Sequence, residues 1–134
     1  MRVEELKKLR VLANEIKSKY EVLEEAKATA YRITKIVSDM PKAKNSGDGF
    51  NTAVIKTLIM VEELQGTIKH MIEEFGNLYE EASKEINKLE DIQERTVLEY
   101  RYLAYKPWHE IAGLMHYTKR RVQQIHDVAI KHFI

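Results

Sequence analysis

The stretch NTAVIKTLIMVEELQGTIKHMIEEFGNLYEEASKEINKL, residues 51–89, decides the fold class. Within it Val54, Leu58, Val61, Gln65, Ile68, Ile72, Phe75, Tyr79, Ala82, Ile86 and Leu89 follow one another at alternating steps of four and three, and only Gln65 is polar. A helix of 3.6 residues per turn gathers such positions into one stripe, so this sustained heptad predicts a long amphipathic helix with a coiled-coil-like seam. At 1.5 Å per residue it would be roughly 55–60 Å long. Gly66 and Gly76 each cost about 1 kcal/mol relative to Ala and are where a bend can enter.

Upstream, the chain from Arg2 to about Val37 contains no Gly or Pro. Leu6, Leu9, Ala13, Ile16, Tyr20, Leu23 and Ala30 recur at helical spacing, with Lys27 as the polar break, and predict a second long helix. Between the two lies SDMPKAKNSGDG, residues 38–49, whose Pro, Gly, Asp, Asn and Ser content reads as a loop. Two long helices joined by so short a loop fold back most simply as an antiparallel hairpin. Such a hairpin buries only a narrow seam, so further helices or a second copy of the chain should cover its apolar side.

Downstream the heptad stops. Residues from Asp91 to about Leu103 read as a third helix, offering Ile92, Leu98, Tyr102 and Leu103 to a core. Pro107 suits the start of a short fourth helix, Trp108 to Met115. His116 and Tyr117 make the turn, and Thr118 is a good N-cap for a last helix reaching about Phe133. No strand pattern occurs. The expected fold is all-α: a long antiparallel helical hairpin over residues 1–90, with its loop at 38–50, serving oligomerisation or partner binding, then a small three-helix domain over 91–134.

Composition narrows the function. The chain has no Cys, which removes disulfides, thiolate catalysis and Cys-based zinc sites together. No apolar run approaches the ~18–20 residues a bilayer span needs, and MRVEELKKLR lacks the apolar core of a secretory signal, so no membrane partner and a cytoplasmic location are expected. The formal net charge of +1 hides an asymmetry. Residues 1–94 hold 15 basic and 18 acidic side chains, whereas residues 95–134 hold seven basic, three acidic and four of the five His. A basic end on an acidic-leaning scaffold points to a polyanionic partner.

The pattern inside that basic end is sharper. Ile111, Met115, Tyr117, Val122 and Ile125 stand where two helices joined by a tight turn must be apolar, and Ala112 and Ala129 where close packing needs small side chains. This leaves Thr118, Lys119, Arg120, Gln123, Gln124 and Asp127 to face outward from the last helix, with Arg121 beside them. Arg and Lys suit guanine edges or phosphate, and Gln can pair with adenine in a bidentate manner. In a helix-turn-helix the amino-terminal residues of the second helix reach the bases. Lys119, Arg120 and Arg121 also occupy a first turn, where the helix dipole disfavours cations by ~0.3–1 kcal/mol each. A docked phosphate would offset that repulsion. Thr118, Lys119, Arg120, Gln123, Gln124 and Asp127 are therefore expected to read bases or position the helix, with Arg121, Lys106 and Lys131 on phosphate.

The stretch VLEYRYLAYKPWHEIAGLMHYTKRRVQQIHDVAIKHF, residues 97–133, resembles region four of bacterial sigma factors and related sigma-like helix-turn-helix proteins. The resemblance rests on Val97-Leu98, Arg101-Tyr102-Leu103, Glu110-Ile111-Ala112, Tyr117-Thr118, Val122, and Ile125-His126 followed by Ala129. The longer layout, with Asp39-Met40-Pro41 in its loop, is similar to small phage-encoded proteins that include transcriptional regulators. The resemblance implies a double-stranded DNA partner; the long heptads favour a homo-oligomer, with a dimer as the simplest case, or offer a surface for RNA polymerase or another phage protein. Two departures stand out: His116 replaces a frequent turn Gly, and Pro107 replaces a capping hydroxyl. Nothing resembles the sigma region that melts promoters. Two rival expectations are a phage small-terminase-like packaging protein that recognises DNA, and an adaptor whose sigma-like end binds protein.

Other chemistry finds little footing. There is no HExxH, and His126 and His132 are six residues apart, off the i, i+4 spacing of one helical face, so no metal is expected. His109, His116, His126 and His132 are read as surface or phosphate-contacting groups. Tyr100, Tyr102, Tyr105, Trp108 and Tyr117 are read as the small domain's core and rim, not as a stacking platform for bases. With no GxSxG, no Gly-rich phosphate loop and Glu pairs that flank the heptads, neither an enzyme nor a cofactor is expected.

Overall fold

The computed structural model describes residues 1–39 and 48–133 and is all-α. Its helices are α1 (Val3–Asp39), α2 (Asp48–Ile86), α3 (Ile92–Leu98), α4 (Trp108–Met115) and α5 (Lys119–Phe133), with α3 running on into a π-helical segment, Glu99–Leu103. No strand occurs among the described residues. The long helices α1 and α2 form the expected hairpin. They extend to Asp39 and from Asp48, and most of the expected loop, including Met40-Pro41, lies outside the described residues. No helix among those residues is long and apolar enough to cross a membrane. The chain divides into two compact units, one made of Met1–Asn14 with Glu73–Ile134, the other of Glu15–Ile72.

In the unit of residues 15–72 the seam differs from the expected one. Ile68 and Met71 of α2 are buried, and Val54, Thr57, Val61 and Leu64 are partly buried. Leu58 and Ile72, both expected in the seam, are about half exposed, and Gln65 is exposed. Positions 54, 61 and 68 are kept, but the alternating positions fall three residues after them instead of four. The cause is the polar member: the expected register would bury the Gln65 amide, whereas the observed one puts Leu64 there and takes in only Thr57, whose hydroxyl donates to Ala53 O at 2.9 Å. On α1, Leu23 and Ala30 are buried as expected, while Tyr20 is exposed.

The unit containing the three short helices has two apolar clusters. One unites Leu6 and Leu9 of α1, Ala82 and Ile86 of α2, Leu89, Leu98, Tyr102, and Ala129 and Phe133 of α5. The other unites Val97, Ile111, Ala112, Val122 and Ile125, with Trp108 and Met115 packed against it. Adjacent residues Val97 and Leu98 thus face different clusters, and α5 enters one with its first two turns and the other with its last two. Lys8 of α1 pairs with Glu74 of α2 at 2.8 Å, an exposed ion pair that holds the lysine's pKa above its ordinary value.

The third helix departs from expectation in two ways. Ile92 is 70% exposed and belongs to no cluster, whereas Glu94 is buried. Asp91, not an apolar residue, sets the helix start: its Oδ1 accepts the Glu94 backbone N–H at 3.0 Å, the N-cap arrangement for Asp. The single helix expected up to Leu103 is α-helical only to Leu98 and widens to a π-turn beyond it.

Candidate nucleic-acid interface

The π-turn and the bend after it hold the short helices in place. Ala104 N–H bonds Glu99 O at 2.8 Å and Lys106 N–H bonds Tyr100 O at 2.9 Å, which closes the turn. Tyr105 sits there at a positive φ of 60°, unfavourable for a side chain of that size. Arg10 of α1 stabilises the bend. Its guanidinium donates to Arg101 O at 2.7 Å and Lys106 O at 3.2 Å, and lies 4.6 Å from the Tyr105 ring centre. Arg101 lies 4.0 Å over Trp108, a cation–π geometry, and also donates to Lys106 O. Burial, then the charge of Arg10, lower the Arg101 pKa, and its Nε is buried without a protein partner.

Trp108, so fixed, opens α4 directly after Pro107, which is extended at ψ 160° and supplies no side-chain cap. The turn after α4 rests on His116, the residue standing where the resemblance leads one to expect Gly. It adopts the left-handed conformation, φ 59° and ψ 38°, and its backbone N–H bonds Ala112 O. Tyr117 N–H reaches the same carbonyl at 3.1 Å. A non-glycine residue in this region costs of order 1–2 kcal/mol, which the two bonds help to offset. Thr118 then starts α5 as expected: its Oγ1 accepts the Arg121 backbone N–H at 3.1 Å.

Val122 and Ile125 anchor the inner side of α5 at 0% and 5% exposure, while Thr118, Lys119, Arg120, Arg121, Gln124, Asp127 and Lys131 are exposed and Gln123 partly so. The first turn of α5 contains no acidic residue. Lys119, Arg120, Arg121 and Lys131 make no ion pair among the described residues. Two expected contributors are partly engaged: Lys106 pairs with Glu110 at 3.0 Å, and Asp127 accepts from His126 at 3.2 Å. Of the apolar positions expected around the turn, Tyr117 is the exception, 38% exposed with its hydroxyl accepting from Gln93.

Helix α5 therefore presents a ridge of cationic and amide side chains from a firmly seated core. The chain matches no family model, no curated protein and no solved structure. No group of His, Asp or Glu that could hold a metal is found among the described residues.

One of the histidines corrects the surface reading. His126 is mostly buried: Tyr102 Oη lies 2.7 Å from its Nε2, Asp127 Oδ1 3.2 Å from its Nδ1, and Trp108 packs edge-on with ring centres 4.9 Å apart. The neutral ring protonated on Nδ1 satisfies both bonds, accepting from the tyrosine and donating to the carboxylate. His132 stays on the surface, as expected, and bonds the buried Glu94 carboxylate. Side-chain period does not mark the burial of His126; the signal that could have shown the His132 contact is the lone acid, Glu94, on the inner face of α3.

Burial pushes the His126 pKa below its ordinary value, with Asp127 pulling the other way and Arg101 and Lys7 adding to the depression. Burial also raises the Tyr102 hydroxyl. A histidine depressed in the folded state binds fewer protons than in the unfolded chain. Its stabilising contribution is whole above the unfolded value of ~6.5 and is lost as pH falls below it, at up to ~1.4 kcal/mol per pH unit. Thermal unfolding should therefore occur at lower temperature as pH drops from 7 to 5. His126→Phe, which retains the ring against Trp108, should shallow that dependence; an unchanged slope would remove His126 as its source.

Proposed function

We propose that the chain is a sequence-specific double-stranded DNA-binding protein, a transcriptional regulator of the kind phages and prophages encode. In this reading α4 and α5 are a helix-turn-helix, α5 enters the major groove, and the long helices assemble copies into a homo-oligomer. No catalytic step or cofactor is assigned. The observation that carries the reading is the start of α5, where Lys119, Arg120 and Arg121 stand exposed and without acidic partners on a helix whose inner face is buried at Val122 and Ile125.

A fold optimised only for stability would put acids in that turn. Phosphate oxygens would satisfy the cations and the free N–H groups together, and would orient Gln123, Gln124 and Arg120 toward base edges. Arg121 and Lys131 suit phosphate best; Lys106 would join them only after leaving Glu110. Thr118 keeps its hydroxyl hydrogen for a phosphate while its oxygen caps the helix.

The test is selection of bound sequences from random duplex DNA, followed by a salt titration on the selected site. Log K should fall against log salt by about 0.9 per phosphate contacted, giving a slope of about −2 to −4 for each bound copy. Intact protein that binds no duplex in a salt-sensitive way would refute the proposal.

A further inference from the structure

The register of α2 leaves a second stripe on that helix exposed among the described residues. Ile55, Leu58, Glu62, Gln65, Lys69 and Ile72 lie at steps of three and four, and all six are exposed, the three apolar members by 56%, 50% and 51%. Neither Glu62 nor Lys69 forms an ion pair among the described residues, and Gly66 beside them has nothing within 4 Å of where a Cβ would stand. Three large apolar side chains in line with a single acid and a single base is a poor solvent face.

The order of these residues identifies the occupant. Counted outward from Gln65, the stripe has Glu62 at three residues on one side and Lys69 at four on the other, then Leu58 and Ile72 at seven on each side. Turned end for end, it complements itself. We propose that α2 pairs with α2 of a second copy, antiparallel, about a two-fold axis at Gln65. Leu58 then packs on the partner's Ile72, Glu62 meets the partner's Lys69, and the two Gln65 amides bond each other across the axis. Each contact occurs twice, as a two-fold interface requires.

A parallel arrangement would set Glu62 against Glu62 and Lys69 against Lys69, so the charges select the antiparallel one. The Gln65 pair fixes the register, because any slip buries an unpaired amide against leucine or isoleucine. The absence of a side chain at Gly66 lets the helices approach closely where they cross. The inference rests on reading the long helices as the oligomerisation element and is independent of DNA binding.

Sedimentation equilibrium on the full chain without DNA tests it. The wild type should be a dimer, and Lys69→Glu or Glu62→Lys alone should weaken the dimer by about tenfold or more, two pairs having turned repulsive. The double variant carrying both changes should regain the wild-type affinity. As the chain has no Cys, Gln65→Cys gives one thiol per copy, and mild oxidation should link two copies at that position. Helical circular dichroism unchanged in each variant excludes unfolding as the cause. A monomer at all concentrations would overturn both the face and the oligomer reading. A dimer indifferent to the charge changes, or a Gln65→Cys variant that does not cross-link, would overturn this face alone.

Discussion

Replacing Leu9 by Ala should destabilise the unit that carries α3, α4 and α5 by about 2–5 kcal/mol, although Leu9 lies more than eighty residues away in sequence. Leu9 is fully buried, in one cluster with Leu98, Tyr102, Ala129 and Phe133. Removing most of its side chain leaves a cavity bordered by α2 and by the last turns of α5, and neither can close it without unseating the other. Trp108 is the only tryptophan and packs against the second cluster, so its fluorescence reports on the far side of the same unit. In denaturant titrations the Trp108 transition should move to lower concentration along with the helical signal. For the same reason a fragment of residues 91–134 should be poorly folded alone, since it lacks Leu6, Leu9, Ala82 and Ile86 and the Arg10 clamp on the π-turn. A Trp108 transition that ignores Leu9→Ala would mean that the first turns of α1 are not part of this core.

This dependence marks how far the sequence can be read. Period alone yields the helices, because apolar spacing over dozens of residues has few other solutions. It does not choose between two seams that share Val54, Val61 and Ile68, since Leu58, Leu64, Met71 and Ile72 are equally apolar and each seam has one polar member, Gln65 in one and Thr57, whose hydroxyl bonds Ala53 O within its own helix, in the other. The capping positions Asp91 and Thr118 are also within reach of pattern, since an Asp followed three residues later by Glu, as at Asp91 and Glu94, is a start signal. The π-turn at Glu99–Leu103 is not legible. An extra residue in a helical turn has no compositional mark, and its support comes from Arg10 at a separation visible only in three dimensions. The burial of His126 escapes pattern for a related reason: it sits beside the outward Asp127, and Tyr102 and Trp108 cover it from other elements.

If the proposed function holds, Arg120→Ala combined with Gln124→Ala should abolish site preference while leaving the fold intact. The two residues are four apart on α5, so they share a face, and both are exposed with no side-chain partner among the described residues. Their loss removes no packing, and helical content and unfolding midpoint should stay near wild type. Each bidentate contact to a base is worth about 1–3 kcal/mol of discrimination, so the pair should lower affinity for the selected site by roughly 30-fold or more. Affinity for an unrelated duplex should fall much less, by the share of Arg120 in general attraction to phosphate. Lys131→Ala supplies the contrast. A phosphate contact should weaken binding about equally on every sequence and reduce the salt slope by about 1. Site preference and salt slope thus report on different residues of one helix. A double variant that keeps the wild-type ratio of specific to non-specific binding would show that this face of α5 does not read the bases, even if the protein still binds DNA.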